Sequence, residues 1–164
     1  SGAIELDRER MPVSTVLEQM RESAPTMAAA NGNSLMIEET TPLGAAEIDH
    51  RRLYQCAMQL VSNAAKFTSN GAIRVTAARH SAEGRVRLEF SVADTGIGIR
   101  PEHQTRIFEP FVQAEDDSAR RYEGAGLGLT LVNRLAKLMG GDVTVASTLG
   151  EGSTFTLWVD GGPV

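Results

Sequence analysis

The chain lacks several features that mark whole classes of protein. It has one cysteine, Cys56, so it cannot form an internal disulfide, and a reducing, cytoplasmic environment is expected. No apolar run approaches the roughly 20 residues of a membrane-spanning helix, and no signal peptide is visible, although a longer parent protein could still be membrane-anchored. Basic residues are not in excess: 16 Lys and Arg stand against 21 Asp and Glu, a formal charge of −5. This balance argues against a nucleic-acid partner.

Glycine, in contrast, is abundant and is concentrated in two short segments, 94–99 (DTGIGI) and 124–129 (GAGLGL). The first segment follows a strand-like run that ends at Asp94, and the second opens a helix-like run over 127–139. Glycines let the backbone approach a ligand closely, and the N-terminus of a helix offers free N–H groups to phosphate. An aspartate at the end of a strand can accept a hydrogen bond from an exocyclic amine such as that of adenine. Together the two segments predict a nucleotide pocket.

Other nucleotide-binding motifs are missing. The chain has no Gly-Lys pair and therefore no Walker A loop. A dinucleotide-binding G-x-G-x-x-G would need a third glycine where Pro101 or Leu129 stands. There is no H-R-D catalytic loop of the protein-kinase type. The pocket must therefore belong to another class.

Patterning predicts a single α+β domain over residues 1–160. The fold class is a two-layer α/β sandwich, with helices on one face of a mixed sheet. Strands are predicted over 4–11, 34–38, 72–80, 86–93, 142–147 and 153–159, and helices over 14–30, 50–68, 100–108 and 127–139. Loops are predicted over 40–46 and 109–125, and a frayed tail over 160–164, of which 161–164 lie outside the domain.

The second long helix carries a line of polar residues on a mostly apolar surface. Gln59, Asn63 and Lys66 recur at i, i+4 and i+7 and therefore share a face. Buried polar groups need partners, and a metal–phosphate group could supply them. The amide oxygen of Asn63 suits Mg²⁺, and Lys66 could neutralise phosphate. The alternatives are a solvated Lys66 and a purely structural amide at Gln59 or Asn63.

Four ordered segments resemble the conserved boxes of histidine-kinase catalytic domains. They are 59–68 (QLVSNAAKFT, the N box), 94–98 (DTGIG, the G1 box), 107–111 (IFEPF, the F box) and 124–129 (the G2 box). The terminal hairpin, 150–155 (GEGSTF), is also similar to that of this family. The resemblance covers roughly residues 3–159 and implies the Bergerat-type fold of the GHKL ATP-binding superfamily, with three helices on the sheet and an ATP lid.

The resemblance implies a Mg²⁺–ATP site and assigns roles to particular residues. Asp94 would bind the adenine amino group, Asn63 would hold Mg²⁺ with Gln59 as a second candidate ligand, and Lys66 would reach the phosphates. Gly126, Leu127 and Gly128 would donate to phosphate from the start of a helix. The catalytic set is Gln59, Asn63 and Lys66. The nucleotide-binding set is Asn63, Lys66, Phe67, Asp94, Gly96, Gly98, Ile99, Phe108, Arg121, Tyr122, Gly124, Gly126, Leu127, Gly128, Leu129 and Thr154.

The lid implied by the resemblance covers 109–125. Arg120, Arg121 and Tyr122 match the basic-basic-aromatic stretch of that lid, with an ordinary exposed loop pair as the alternative for the arginines. Phe108 and Phe111 are expected mainly to tether the lid to the core.

Two positions depart from the family pattern. Gln59 stands where the family has Asn, and related self-sufficient ATPases have a Glu there as general base. Because Gln cannot take a proton, phosphoryl transfer is favoured over hydrolysis. Glu123 replaces a common glycine and places a negative charge beside the lid. The main hypothesis is a sensor histidine kinase catalytic domain, and the alternative is a regulatory pseudokinase module that binds ATP without transfer.

The expected partners follow from the histidines. His50, His80 and His103 lack the sequence context of a phosphoacceptor in this family. The acceptor histidine is therefore expected on a separate dimerisation and phosphotransfer domain of the parent protein, absent from this chain. A response regulator receiver domain would act downstream, ATP and ADP would be the ligands, and the isolated domain would be a monomer.

Overall fold

The fold consists of one mixed sheet with helices on one face. The computed structural model of the chain describes residues 3–109 and 117–164, and for residues 117–127 the backbone alone. The described elements are β1 (Glu9–Pro12), α1 (Ser14–Ala29), β2 (Ser34–Glu39), β3 (Ala45–Ile48), α2 (His50–Phe67), β4 (Ala72–Ala82), β5 (Arg85–Asp94), α3 (Pro101–Gln104), α4 (Asp117–Leu138), β6 (Asp142–Thr148) and β7 (Gly152–Pro163).

The main sheet has five strands in the order β2-β4-β5-β7-β6. β2 pairs with β4 in parallel, which the long connection through β3 and α2 allows, and the other neighbours pair antiparallel. β1 and β3 form a separate antiparallel ribbon. The predicted α+β sandwich with a mixed sheet is confirmed.

The core lies between the sheet and α1, α2 and α4. The inward side chains alternate along β4, β5 and β7, as a half-buried sheet requires. The apolar residues of α2 form a buried stripe, and Cys56 on it is fully buried. Burial raises the pKa of the Cys56 thiol to about 12, so it stays protonated and behaves as a small core side chain.

The structure corrects the prediction at both edges of the domain. The segment 40–46, predicted as a loop, contains the start of β3, which pairs with a β1 shorter than the predicted strand over 4–11. The predicted fraying of 160–164 is wrong up to Pro163. β7 pairs there with Arg85, Gly161 and Gly162 are buried, and the Val164 N–H donates to the Gly84 carbonyl at 2.9 Å.

The two helices near the predicted lid also differ from expectation. α3 covers Pro101–Gln104 alone, although the sequence predicted 100–108. α4 begins at Asp117, ten residues before its predicted start at Leu127, so its first half occupies part of the segment predicted to be irregular. The rest of the predicted lid, at 110–116, including Phe111, lies outside the described residues.

None of the helices in the described part of the chain is both long enough and apolar enough to cross a membrane.

Candidate functional site

The first wall of the site is the C-terminal half of α2. This helix begins after Asp49, whose carboxylate accepts the Arg52 N–H at 3.0 Å as an N-cap. The three polar residues along this helix, Gln59, Asn63 and Lys66, lie in different environments. Asn63 is 2% exposed, and its Oδ1 atom has no hydrogen-bond partner among the described residues. Lys66, almost one turn later, is exposed. Because an unpaired buried amide oxygen is costly, a ligand bound to Asn63 Oδ1 would be favourable.

Gln59, one turn before Asn63, lies at the contact between α2 and α4. A Cβ atom placed on Gly128 would overlap the Gln59 side chain. The structure therefore brings the predicted N box and G2 box residues into contact, with glycine at 128 leaving room for the amide.

The second wall is the loop that follows β5. Asp94 ends this strand, and its Oδ1 accepts the N–H groups of Gly96 at 2.9 Å and Ser153 at 3.3 Å. Burial raises the pKa of Asp94, and these two hydrogen bonds, with the Thr68 hydroxyl, oppose the rise. Both backbone donors are directed at Oδ1.

Two glycines allow this loop to pack tightly between its neighbours. A Cβ at Gly96 would overlap the Phe67 carbonyl oxygen, and a Cβ at Gly98, whose φ is +72°, would overlap the carbonyl oxygen of Thr148. Between them, the Ile97 N–H donates to the Phe67 carbonyl at 3.2 Å. The loop is therefore held between the end of α2 and the turn that joins β6 to β7.

A cleft of about 960 Å³ opens where α2 and this loop meet. Three predicted site residues line it, namely Lys66, Phe67 and Gly96. Its full described lining is Asn31, Lys66, Phe67, Ser69, Thr95, Gly96, Ile97, Leu149 and Gly150. Asp94 and Thr154 instead line a smaller neighbouring depression of about 280 Å³. Gly96 lies between the two, since it borders the cleft while its N–H donates to Asp94.

Some predicted binding residues contribute to the core. The side chains of Ile99 and Leu129 are 2% and 0% exposed, and the Ile99 N–H already donates to Ser147 Oγ at 2.8 Å. Phe108 packs edge-to-face against Phe155, with 6.1 Å between ring centroids, as expected for a tether to the core.

The G2 box lies inside a helix. Gly124, Gly126, Leu127 and Gly128 all fall within α4, so the prediction that they open the helix is wrong for this structure. Glycine costs only about 1 kcal/mol in a helix interior, so these positions weaken a helix without forbidding it. Arg121 and Tyr122 also lie in this part of α4, where the backbone alone is described.

Comparison with known proteins decides the class. Residues 48–163 match the family model described as "Histidine kinase-, DNA gyrase B-, and HSP90-like ATPase". The chain belongs to this ATPase family. The ATPase domain is of the histidine-kinase type, as the sequence boxes predicted, and the segment that carries Asn63, Lys66 and Asp94 lies wholly inside the match.

Sequence relatives support this membership. The domain is 36% identical over 159 residues to an uncharacterized sensor-like histidine kinase of Rhizobium meliloti (strain 1021), covering 97% of this chain and 30% of that protein. It is 38% identical over 158 residues to the aerobic respiration control sensor protein ArcB of Escherichia coli (strain K12), covering 95% and 20%. The ATPase domain thus spans less than a third of these relatives.

A solved structure is also similar. The crystal structure of full-length ShkA in complex with AMPPNP matches with a TM-score of 0.83 and 36% identity, over 100% of this chain and 33% of that one. The nucleotide-free catalytic domain of the histidine kinase ThkA matches at 21% identity with a TM-score of 0.71, which supports the fold.

Two residues that border the site were not predicted as part of it. Asn31 lines the cleft of the ATPase domain, and Asn33 donates from Nδ2 to the Thr68 carbonyl at 2.8 Å. The Asn-Gly-Asn sequence is typical of the turn that contains them. No local pattern indicates that this turn packs against the end of α2, because the contact joins residues more than 30 positions apart.

Proposed function

We propose that this ATPase domain is the catalytic domain of a two-component sensor histidine kinase. It would transfer the γ-phosphoryl group of Mg²⁺–ATP to a histidine on a separate dimerisation domain of its parent. The observation that carries the proposal is the buried Oδ1 atom of Asn63, which has no protein partner in the described part of the chain and lies almost one turn before Lys66. A hard oxygen and a cation on one helical turn suit a metal-bound phosphate.

The donor set around Asn63 fits a cation held mainly by its nucleotide. The described residues contain no group of three or more His, Cys, Asp or Glu side chains that could hold a metal. Mg²⁺ in nucleotide sites takes few protein ligands and several oxygens from phosphate and water. Asn63 would supply the protein ligand, with Gln59 as a second candidate. When bound, the ion would neutralise charge on the phosphates.

The rest of the nucleotide would lie along the loop after β5. Asp94 would accept a hydrogen bond from the adenine amino group. Thr154 would lie beside Asp94, and Gly98 would allow the backbone to approach the base closely. Phe67 would contact the nucleoside, and Lys66 would reach the phosphates. Catalysis of phosphoryl transfer consists mainly of positioning and charge stabilisation, which such an arrangement can supply.

Phosphate binding by the G2 box requires a change in α4. Inside a helix, the N–H groups of Gly126, Leu127 and Gly128 pair with carbonyl groups four residues earlier. They can donate to phosphate only if the helix begins later when ATP is bound. In that state Arg121, Tyr122 and Gly124 would belong to the lid.

The acceptor histidine would come from outside the domain. His80 is engaged with Glu89, with 3.1 Å between Nε2 and Oε2, and the Nε2 atom of His50 is buried. Gln59 cannot act as a general base, so hydrolysis by the domain alone would be slow. The domain would work in the cytoplasm as a monomer that meets its acceptor within the parent, and a response regulator receiver domain would take the phosphoryl group afterwards.

Transfer of γ-labelled phosphate tests this function. The domain is mixed with Mg²⁺–ATP and a dimeric helical fragment that carries the acceptor histidine of the parent protein. Label should appear on the acceptor and not on the domain, and slowly, because tethering normally raises the effective concentration. Asn63→Ala should abolish labelling, whereas Ser62→Ala, the adjacent change, should not. ATP binding without labelling, also in the full-length parent, would support a regulatory module instead.

A further inference from the structure

The C-terminal end of α2 is stabilised by a turn from another part of the chain. A helix leaves its last four carbonyl groups without partners inside the helix. Here no left-handed glycine closes the end, because Thr68 follows with φ −125° and ψ 131°. The turn between α1 and β2 supplies donors instead. Asn31 Nδ2 donates to the Ala65 carbonyl at 2.9 Å, and Asn33 Nδ2 donates to the Thr68 carbonyl at 2.8 Å.

Asn33 uses both ends of its amide and is only 7% exposed. While Nδ2 donates to Thr68, Oδ1 accepts the Gly71 N–H at 2.9 Å. One buried side chain therefore fixes both the residue that leaves α2 and the residue that enters β4. Asn31 adds a backbone contact, since its carbonyl accepts the Asn70 N–H at 2.9 Å.

The helix end that this turn fixes is also a wall of the cleft. Lys66 and Phe67 line the cleft and lie between the two carbonyl groups that the asparagines hold. The Phe67 carbonyl accepts the Ile97 N–H, and Gly96 packs against the same carbonyl. A shift of the end of α2 would therefore displace Lys66, Phe67 and the loop after β5 together.

We propose that Asn33 is a positioning residue for nucleotide binding, assisted by Asn31. Asn33 does not touch the nucleotide. It sets the position of Lys66 and Phe67 by fixing the backbone on both sides of the exit from α2. The inference rests on the proposed nucleotide-binding role of this cleft.

The test compares two hydrogen-bond deletions, one at the exit from α2, ahead of β4, and one near the far end of β4. Asn33→Asp keeps the acceptor for Gly71 but loses the donor to Thr68. The matched control is Thr41→Val, because the Thr41 hydroxyl accepts the Arg79 N–H at 2.7 Å near the other end of the strand. Melting temperature and calorimetric affinity for Mg²⁺–ATP are measured for both, the affinity at a temperature where both are fully folded. Both variants should melt lower, but only Asn33→Asp should lose affinity, by about tenfold.

The outcomes separate this inference from the proposed function. If the wild-type domain and Asn33→Asp bind ATP equally well, the positioning role of Asn33 is overturned and the proposed function is not. Equal loss of affinity in Thr41→Val also overturns it, because the effect would then be general loosening. Wild-type domain that does not bind ATP contradicts the proposed function, and the inference with it. Asn33→Ser, which removes the same donor without adding a charge, decides if Asn33→Asp does not fold: about threefold weaker ATP binding supports the positioning role, and unchanged binding overturns it.

Discussion

At the residue scale, Asp94 carries a cost in stability that the proposed binding of adenine would explain. Its carboxylate is largely withdrawn from water, and burial raises its pKa although the N–H groups of Gly96 and Ser153 donate to it. The folded protein therefore keeps a proton on Asp94 up to a higher pH than the unfolded chain does. Carboxyl groups with a raised pKa cluster at functional sites, and the proposed role of Asp94 in binding adenine would use this charge.

The pH dependence of stability tests this account of Asp94. Because the pKa is raised on folding, the free energy of unfolding falls as pH rises above about 3.8, and the cost persists at neutral pH. Asp94→Asn removes the charge but keeps an acceptor for both N–H groups. Without nucleotide, this variant should therefore melt at least as high as wild type at pH 7. Its advantage should shrink as pH falls through about 3.8 and vanish well below it, where Asp94 is protonated in both states.

Asp160 provides the opposite case as a control. Its pKa is lowered, first by the hydrogen bond from Arg85, whose Nη2 lies 2.5 Å from Oδ2. Its contribution to stability is present above about pH 3.8 and is lost as pH falls through the lowered pKa. Asp160→Asn should thus destabilise the protein at pH 7 and not in strong acid. The change in melting temperature that each variant causes is measured against pH. If Asp94→Asn and Asp160→Asn show the same pH dependence, the opposite pKa shifts of the two carboxyl groups are contradicted.

At the scale of elements, the loop after β5 is fixed by close backbone packing. Gly98 has φ +72°, and a Cβ there would overlap the carbonyl oxygen of Thr148. Gly84 has a similar φ of +76° but has nothing within 4 Å of a Cβ. The two glycines therefore separate the cost of the left-handed conformation from the cost of steric overlap.

Alanine substitution at these two glycines gives a matched pair. Gly84→Ala should destabilise the domain by about 1 kcal/mol, the cost of a left-handed residue with a Cβ. Gly98→Ala should cost about 1–3 kcal/mol more, because the loop must move away from the β6–β7 turn. Only Gly98→Ala should also weaken ATP binding. Urea unfolding and ATP titration measure both effects, and equal behaviour of the two variants would show that the loop is not held as described.

The elements differ in how far the sequence predicted them. α1, α2 and the β4–β5 hairpin have strong periodicity and clear caps or turns, and their predicted bounds lie within about two residues of the structure. β3 was missed because it has four residues and gains its partner, β1, from a distant part of the chain. The predicted start of α4 was wrong because the glycines within 124–128, which disfavour a helix interior, were given more weight than the helix-forming residues before them.

At the scale of the whole molecule, long-range packing accounts for the features that the sequence did not predict. The four boxes predicted the family and the residues of α2 and the β5 loop that meet at the cleft. They did not predict that residues 161–163 complete β7, because two glycines and a proline favour an irregular end. In the structure Gly161 packs against Val86 and Ala46, where a larger residue would not fit. The contact between Gln59 and Gly128 likewise depends on how α2 and α4 pack.

Asp94 and its neighbours are proposed to bind the adenine of ATP. The most direct measurement is a calorimetric titration of the wild-type domain and Asp94→Asn with ATP and, as a matched ligand, GTP, each with Mg²⁺. Adenine offers an amino group to the carboxylate, whereas guanine presents an acceptor oxygen at that position. Wild type should bind ATP and discriminate against GTP, and Asp94→Asn should lose about 1.5–3 kcal/mol of ATP affinity and much of the discrimination. Equal ATP affinity in the two proteins, or equal binding of ATP and GTP by wild type, would contradict the account.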